Sequence, residues 1–170
     1  MDQAAQGNAE VAPPGGAGSF PLGTFAVKTD DKGRIKIPVR FQTYLQGIPG
    51  DKSLFVTSLD RKKVAIYPVD VWRDNLKRFK EYRGDPGAVA VVQFNANDLG
   101  TEEMMDSQGR LTLNSELRMA LGLEDKATLH MQGRNGHIEL ITDKVYQELR
   151  ERAQREAEAA AEKLLGEGFE

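Results

Sequence analysis

The chain has 170 residues, a hydrophobic fraction of 39% and a formal net charge of -3, enough for one ordinary domain or two small ones with a modest core. With no cysteine and only two histidines, it excludes disulfides, thiolate nucleophiles and zinc-thiolate sites. The acidic balance excludes a uniformly basic nucleic-acid binder, although the acids gather in "REAEAAAEKLLGEGFE" at the C-terminus while Lys28, Lys32, Arg34, Lys36 and Arg40 crowd residues 28–40.

Residues 1–22 are rich in Gly, Ala and Pro with little to bury, so a disordered N-terminal tail is expected there. They lack the basic start and apolar segment of a signal peptide. No run approaches the roughly 20 apolar residues of a membrane span, so the expected location is cytoplasmic and no membrane partner is expected.

From residue 23 the pattern is strand, turn, strand: "TFAVKT", "DDKG", then "RIKIP", with Ile35 and Ile37 on one face and Arg34 and Lys36 on the other. "VRFQTYLQG" predicts a short helix with Phe41, Tyr44 and Leu45 at helical spacing. The apolar run "SLFVTSL" and the strand "KVAIYP" flank the loop "DRKK". A second helix follows in "VDVWRDNLKRFKEYR", where Trp72, Leu76 and Phe79 mark a packed face rather than a base-stacking platform, the reading also weighed for Tyr82. "GDPG" closes this unit. The stretch "AVAVVQFNANDLGTEEMM" contains a connecting strand or helix, and its periodicity does not decide which.

Sliding the chain against itself shows an internal repeat. Asp30 and Arg34 align with Asp106 and Arg110 at an offset of 76; Ile35 and Ile37 align with Leu111 and Leu113, and Phe41 and Leu45 with Leu117 and Leu121. "VAIYPVDVWRDNL" matches "HIELITDKVYQEL" at an offset of 73. The predicted organisation is therefore a tail over 1–22, a first half over 23–83, a connector over 84–102, a second half over 103–150, and a C-terminal helix and tail over 151–170. That final helix carries Glu and Arg at neighbour spacing and is expected to run, solvated, past the fold.

In both repeats Asp starts a four-residue turn that ends in Gly, and an arginine follows at once. The planar donor fork of Arg suits phosphate oxygens or the O6/N7 edge of guanine, and Asp30 and Asp106 are placed to bond turn amides and hold the forks. His130 and His137 border a predicted hairpin, and no neighbouring acid clearly completes a metal site. The carboxylates of "TEEMMD" lack a nucleophile or base partner, so no enzymatic activity is expected, and neither is a metal or cofactor.

"DDKGRIKIPVRF", "YPVDVW" and "DSQGRLTLNSELRMALGL", taken in that order, resemble the MraZ family, relatives of the AbrB and MazE swapped-hairpin transcription factors. The resemblance covers roughly residues 23 to 150. It implies an α+β fold of tandem duplicated swapped-hairpin, AbrB-like β-barrel halves with flanking helices. It also implies a sequence-specific DNA-binding regulator of the division and cell-wall gene cluster, nucleoid-associated, assembled as a ring-shaped homo-oligomer on promoter direct repeats of double-stranded DNA. Carried onto this chain, Arg34 and Arg110 read DNA, Asp30 and Asp106 orient them, and Lys32, Lys36 and Gln108 assist. Where the family pattern has proline the second repeat has Asn114, which can cap the next helix instead. Lys36 and Arg40 become Thr112 and Glu116 in the second repeat, so stronger DNA binding is expected from the first half. The alternative from the same fold is an antitoxin-like, protein-binding module.

Overall fold

The computed structural model describes residues 21–170; the predicted tail, apart from its last two positions, lies outside them. The elements run β1 (Phe25–Lys28), β2 (Arg34–Lys36), α1 (Val39–Gly47), β3 (Leu54–Thr57), β4 (Lys63–Pro68), α2 (Val69–Glu81), α3 (Pro86–Leu99), β5 (Thr101–Glu103), β6 (Arg110–Thr112), α4 (Ser115–Ala120), β7 (Thr128–Arg134), β8 (His137–Thr142) and α5 (Asp143–Gly166). This is an α+β molecule whose strands all pair antiparallel.

Six strands form one sheet in the order β1-β7-β8-β4-β3-β5, and β2 and β6 form a separate two-stranded ribbon. The six-strand order reads the same from either end when β1 is exchanged with β5, β3 with β7 and β4 with β8. Pairing across the chain is the main departure from the strand-turn-strand expectation. The turn after β1 forms, but β1 and β2 meet only at the Thr29–Ile35 bridge, and their ladders are made with β7 and β6. A local hairpin of three-residue strands is marginal in water; pairing with distant strands completes the ladders and brings both apolar faces to one core.

That core holds Ile35, Ile37, Phe41, Leu111, Leu113 and Leu117 at zero exposure, with Val56, Ile66, Leu129, Met131, Ile138 and Leu140 from the large sheet. Burying each such side chain is worth about 1.5–3 kcal/mol before entropy is counted. A second cluster on the other side of the sheet packs Trp72 of α2 against Phe55 and Tyr67, with ring centroids 4.9 and 5.1 Å away. Trp72 is therefore core, as the helical spacing predicted, whereas Tyr82 lies exposed just beyond the end of α2.

The undecided connector is a helix and then a strand, α3 and β5. Asp85 caps α3 by accepting from Gly87 N at 2.8 Å, and Pro86 fits the first turn, where its missing N–H is no loss. Buried Asn95 anchors the helix by donating to Ser58 O at 2.6 Å, and Thr57 Oγ1 donates to Ala96 O at 2.7 Å. Asn114 does cap α4, accepting from Leu117 N at 2.8 Å. The C-terminal helix begins earlier than the expected boundary, at Asp143, and every residue from 147 to 170 is exposed.

Candidate nucleic-acid interface

Each Asp-x-x-Gly turn closes through a backbone bond from Gly to Asp: Gly33 N to Asp30 O at 3.1 Å and Gly109 N to Asp106 O at 3.0 Å. A second bond, from Asp30 N to Arg34 O at 2.8 Å and from Asp106 N to Arg110 O at 2.9 Å, adds the bulge that turns the chain into β2 or β6. Both glycines need the left-handed backbone, with φ of 73° at Gly33 and 72° at Gly109.

The carboxylates bond both the turn amides and the arginines, as expected. Asp30 Oδ1 accepts from Lys32 N and Arg34 N, both at 2.9 Å, while Oδ2 accepts from Arg34 Nε at 2.8 Å. Asp106 repeats this with Gln108 N and Arg110 N at 2.9 Å and Arg110 Nε at 2.8 Å. The backbone amide of Arg34 is the largest influence holding the Asp30 carboxyl below its ordinary 3.8, and that of Arg110 does the same for Asp106. Because the carboxylates engage Nε, the terminal nitrogens of both guanidinium forks stay available to a partner. The arginine side chains are 24% and 31% exposed: braced, yet reachable.

The β2–β6 register brings the two sites together. Arg34 lies opposite Thr112, Ile35 opposite Leu111, and Lys36 opposite Arg110. Directly opposed residues share a face, so Arg34, Lys36, Arg110 and Thr112 line one side of the ribbon while Ile35 and Leu111 are buried on the other. Arg34 and Arg110 are diagonal neighbours, about 7–8 Å apart. The register also moves Lys36. Although it follows the first motif in sequence, its Nζ donates to Gln108 O and its charge sits at the second turn. Lys32 and Gln108 contribute turn amides, and both residues are exposed.

Two residues at this site were missed by the motif reading, Gln42 and Arg118. A Cβ on Gly33 would lie 2.5 Å from Arg118 Nε, and one on Gly109 would lie 2.2 Å from Gln42 Nε2, so a side chain from each short helix crosses the glycine of the opposite turn. Arg118 Nε donates to Leu113 O at 3.0 Å and Gln42 Nε2 to Ile37 O at 2.7 Å. The backbone is reciprocal too, with Leu113 N donating to Gly33 O at 2.9 Å and Ile37 N to Gly109 O at 2.8 Å. The 76-residue offset relates Gln42 to Arg118, a signal that could have found the pair.

The histidines are engaged separately. His130 Nε2 lies 2.8 Å from Asp143 Oδ1 and its ring stacks on Tyr146 at 3.7 Å, while His137 stacks on Tyr67 at 4.6 Å. Among the described residues no group of three or more His, Cys, Asp or Glu side chains could hold a metal ion, and no helix is long and apolar enough to cross a membrane.

No family model matches the chain. It is 31% identical over 150 residues to "Transcriptional regulator MraZ" of Mycobacterium ulcerans, covering 87% of this chain and 99% of that protein. The protein of the same name from Mycobacterium tuberculosis gives the same identity and coverage. The one from Mycolicibacterium vanbaalenii is 29% identical over 148 residues, covering 86% of this chain and 97% of the relative. With near-full-length similarity at this level, and an Asp-braced arginine after each of the two turns, the chain belongs to the MraZ family.

Proposed function

We propose that this chain is a sequence-specific DNA-binding transcriptional regulator that reads a promoter through Arg34 and Arg110. The observation carrying the proposal is the common outer face of the β2–β6 ribbon, where two guanidinium forks are held by their own turn carboxylates and Lys36 lies opposite Arg110. A two-stranded ribbon fits the major groove, and a separation of about 7–8 Å spans about two base-pair steps at 3.4 Å each. Bracing the forks in advance lowers the ordering cost on binding. Lys32, Lys36 and Gln108 assist by meeting phosphates or neighbouring base edges.

The finer reading follows the family resemblance. The two halves, 23–83 and 103–150, form a tandem swapped-hairpin duplication joined by the connector. The target is a set of short G-rich direct repeats upstream of the division and cell-wall gene cluster, placing the protein at the nucleoid. One arginine discriminates a base by only about 1–3 kcal/mol. A ring of identical copies on matched repeats turns successive contacts into intramolecular ones and raises avidity by about 10² to 10⁴-fold.

An electrophoretic shift assay on the chain's own upstream region tests this. Arg34→Ala and Arg110→Ala should each weaken binding by about 5- to 150-fold, the equivalent of about 1–3 kcal/mol, and the double variant should bind more weakly still. Affinity should also fall steeply with salt as phosphate contacts release counterions. A folded double variant of unchanged affinity would remove the arginines from the interface.

A further inference from the structure

We propose that the C-terminal end of α5 is a docking arm that seats in an apolar pocket between α2 and α3 of a second copy of this chain. The first turn of α5 is fixed to the sheet by the His130–Asp143 contact and the His130–Tyr146 stack. Beyond it the helix is exposed from 147 to its end at Gly166, an arm of about 30 Å at 1.5 Å per residue. Its tip carries apolar side chains facing solvent: Leu164, Leu165 at 58% and, just past the helix, Phe169 at 63% exposure. Acids outnumber cations around them, Glu162, Glu167 and Glu170 against Lys163, none of them in an ion pair among the described residues.

The receptor surface has the opposite character. A cavity of about 340 Å³ is lined by Phe79, Tyr82, Ala88, Val89, Val92 and the Arg78 side chain. Val91 and Phe94 extend the apolar surface outward along α3, Phe94 at 70% exposure. From Pro86 to Asn97 that helix carries no charge, in a chain that is 29% charged. Arg78 lines the pocket and Arg83 follows its Tyr82 in sequence; both are exposed and without ion pairs among the described residues, with Glu81 and Asp85 also close in sequence. A net acidic, apolar tip and an apolar pocket lined by the unpaired Arg78 are complementary in both charge and hydrophobicity. An apolar patch rimmed by polar residues is the usual mark of a protein contact.

Arm and pocket are different surfaces, so the contact is head-to-tail and generates a ring where the rotation closes, or a filament where it does not. This inference rests on the self-assembly proposed above and supplies it with a contact. It does not involve the arginine face, so its failure would leave the DNA readout standing.

The absence of native cysteine allows a direct test on the full chain. Single variants Ala88→Cys and Glu170→Cys, mixed and oxidised, should form a disulfide-linked heterodimer, while each alone should form little. Light scattering should show a chain ending at Lys163 at lower mass than the full chain. The Arg78→Glu, Arg83→Glu variant should lose assembly with wild type's arms and regain it with Glu162→Arg, Glu167→Arg arms. Absence of the mixed disulfide, formation of that disulfide only within a doubly substituted chain, or an unchanged mass after truncation would overturn the proposal. The truncation removes only exposed residues, and an unaltered far-ultraviolet spectrum would establish that the fold is retained.

Discussion

Substituting Gly33 by alanine probes the lock between the two turns. At a φ of 73° an L side chain is strained, which costs about 1–2 kcal/mol. The new Cβ would also lie 2.5 Å from Arg118 Nε and 2.6 Å from its Cζ, a distance no real Cβ tolerates. The guanidinium can swing away, but it then gives up its 3.0 Å bond to Leu113 O, a net loss of about 0.5–1.5 kcal/mol. Gly33→Ala should therefore destabilise the protein by about 1.5–3.5 kcal/mol in urea unfolding. In an Arg118→Ala background the steric part vanishes and the backbone part remains, so the same substitution should cost about 1–2 kcal/mol there. Gly109→Ala should show the equivalent coupling with Gln42→Ala, where the closest approach is 2.2 Å. Equal costs in both backgrounds would refute a lock made between the two turns, and a cost within experimental error would refute the turn geometry itself.

Two further outcomes concern pH. Asp30 and Asp106 titrate below 3.8 in the folded chain, because the Arg34 and Arg110 amides bond their charged forms; the stability they contribute is complete above 3.8 and is lost as pH falls through their folded values. The Asp30→Asn, Asp106→Asn chain should therefore lose less stability on acidification below about pH 4, measured by urea midpoints; an unchanged acid limb would contradict this. Burial lowers the His137 pKa below its ordinary 6.5, against the pull of Glu139, so its contribution is present above 6.5 and declines as pH falls below that value. His137→Gln should flatten the stability profile as pH falls below about 6.5, and a profile as steep as wild type's would exclude His137 as the cause.

How much of this was legible in sequence depends on how local each signal is. Alternation in "RIKIP" identified Ile35 and Ile37 as core, and the turn chemistry of Asp30 and Gly33 was readable because both partners lie within four residues. The α2 stripe ending at Phe79 was equally plain, since its neighbours fall at helical spacing. Helix α3 was opaque for a physical reason. It buries polar Asn95 against Ser58 and exposes Val91 and Phe94, so its hydrophobic pattern does not point at the sheet. Strand partnership was hidden as well, because Phe25 finds Met131 and Lys36 finds Arg110 through tertiary pairing that no short window contains. For the same reason the sequence reading assigned Lys36 to the first turn, and Gln42 and Arg118 escaped notice until the glycines they cover were seen beside them.

Pairing between strands far apart in the sequence also constrains biosynthesis. When Phe25 leaves the ribosome its ladder partner Met131 has not been made, and about 100 further residues at about 5–20 per second impose a wait of about 5–20 s. During that interval the nascent first half presents an unpaired strand edge, a template for aggregation that a chaperone holdase is suited to cover. Translation speed through the second half therefore sets how long each new copy remains vulnerable.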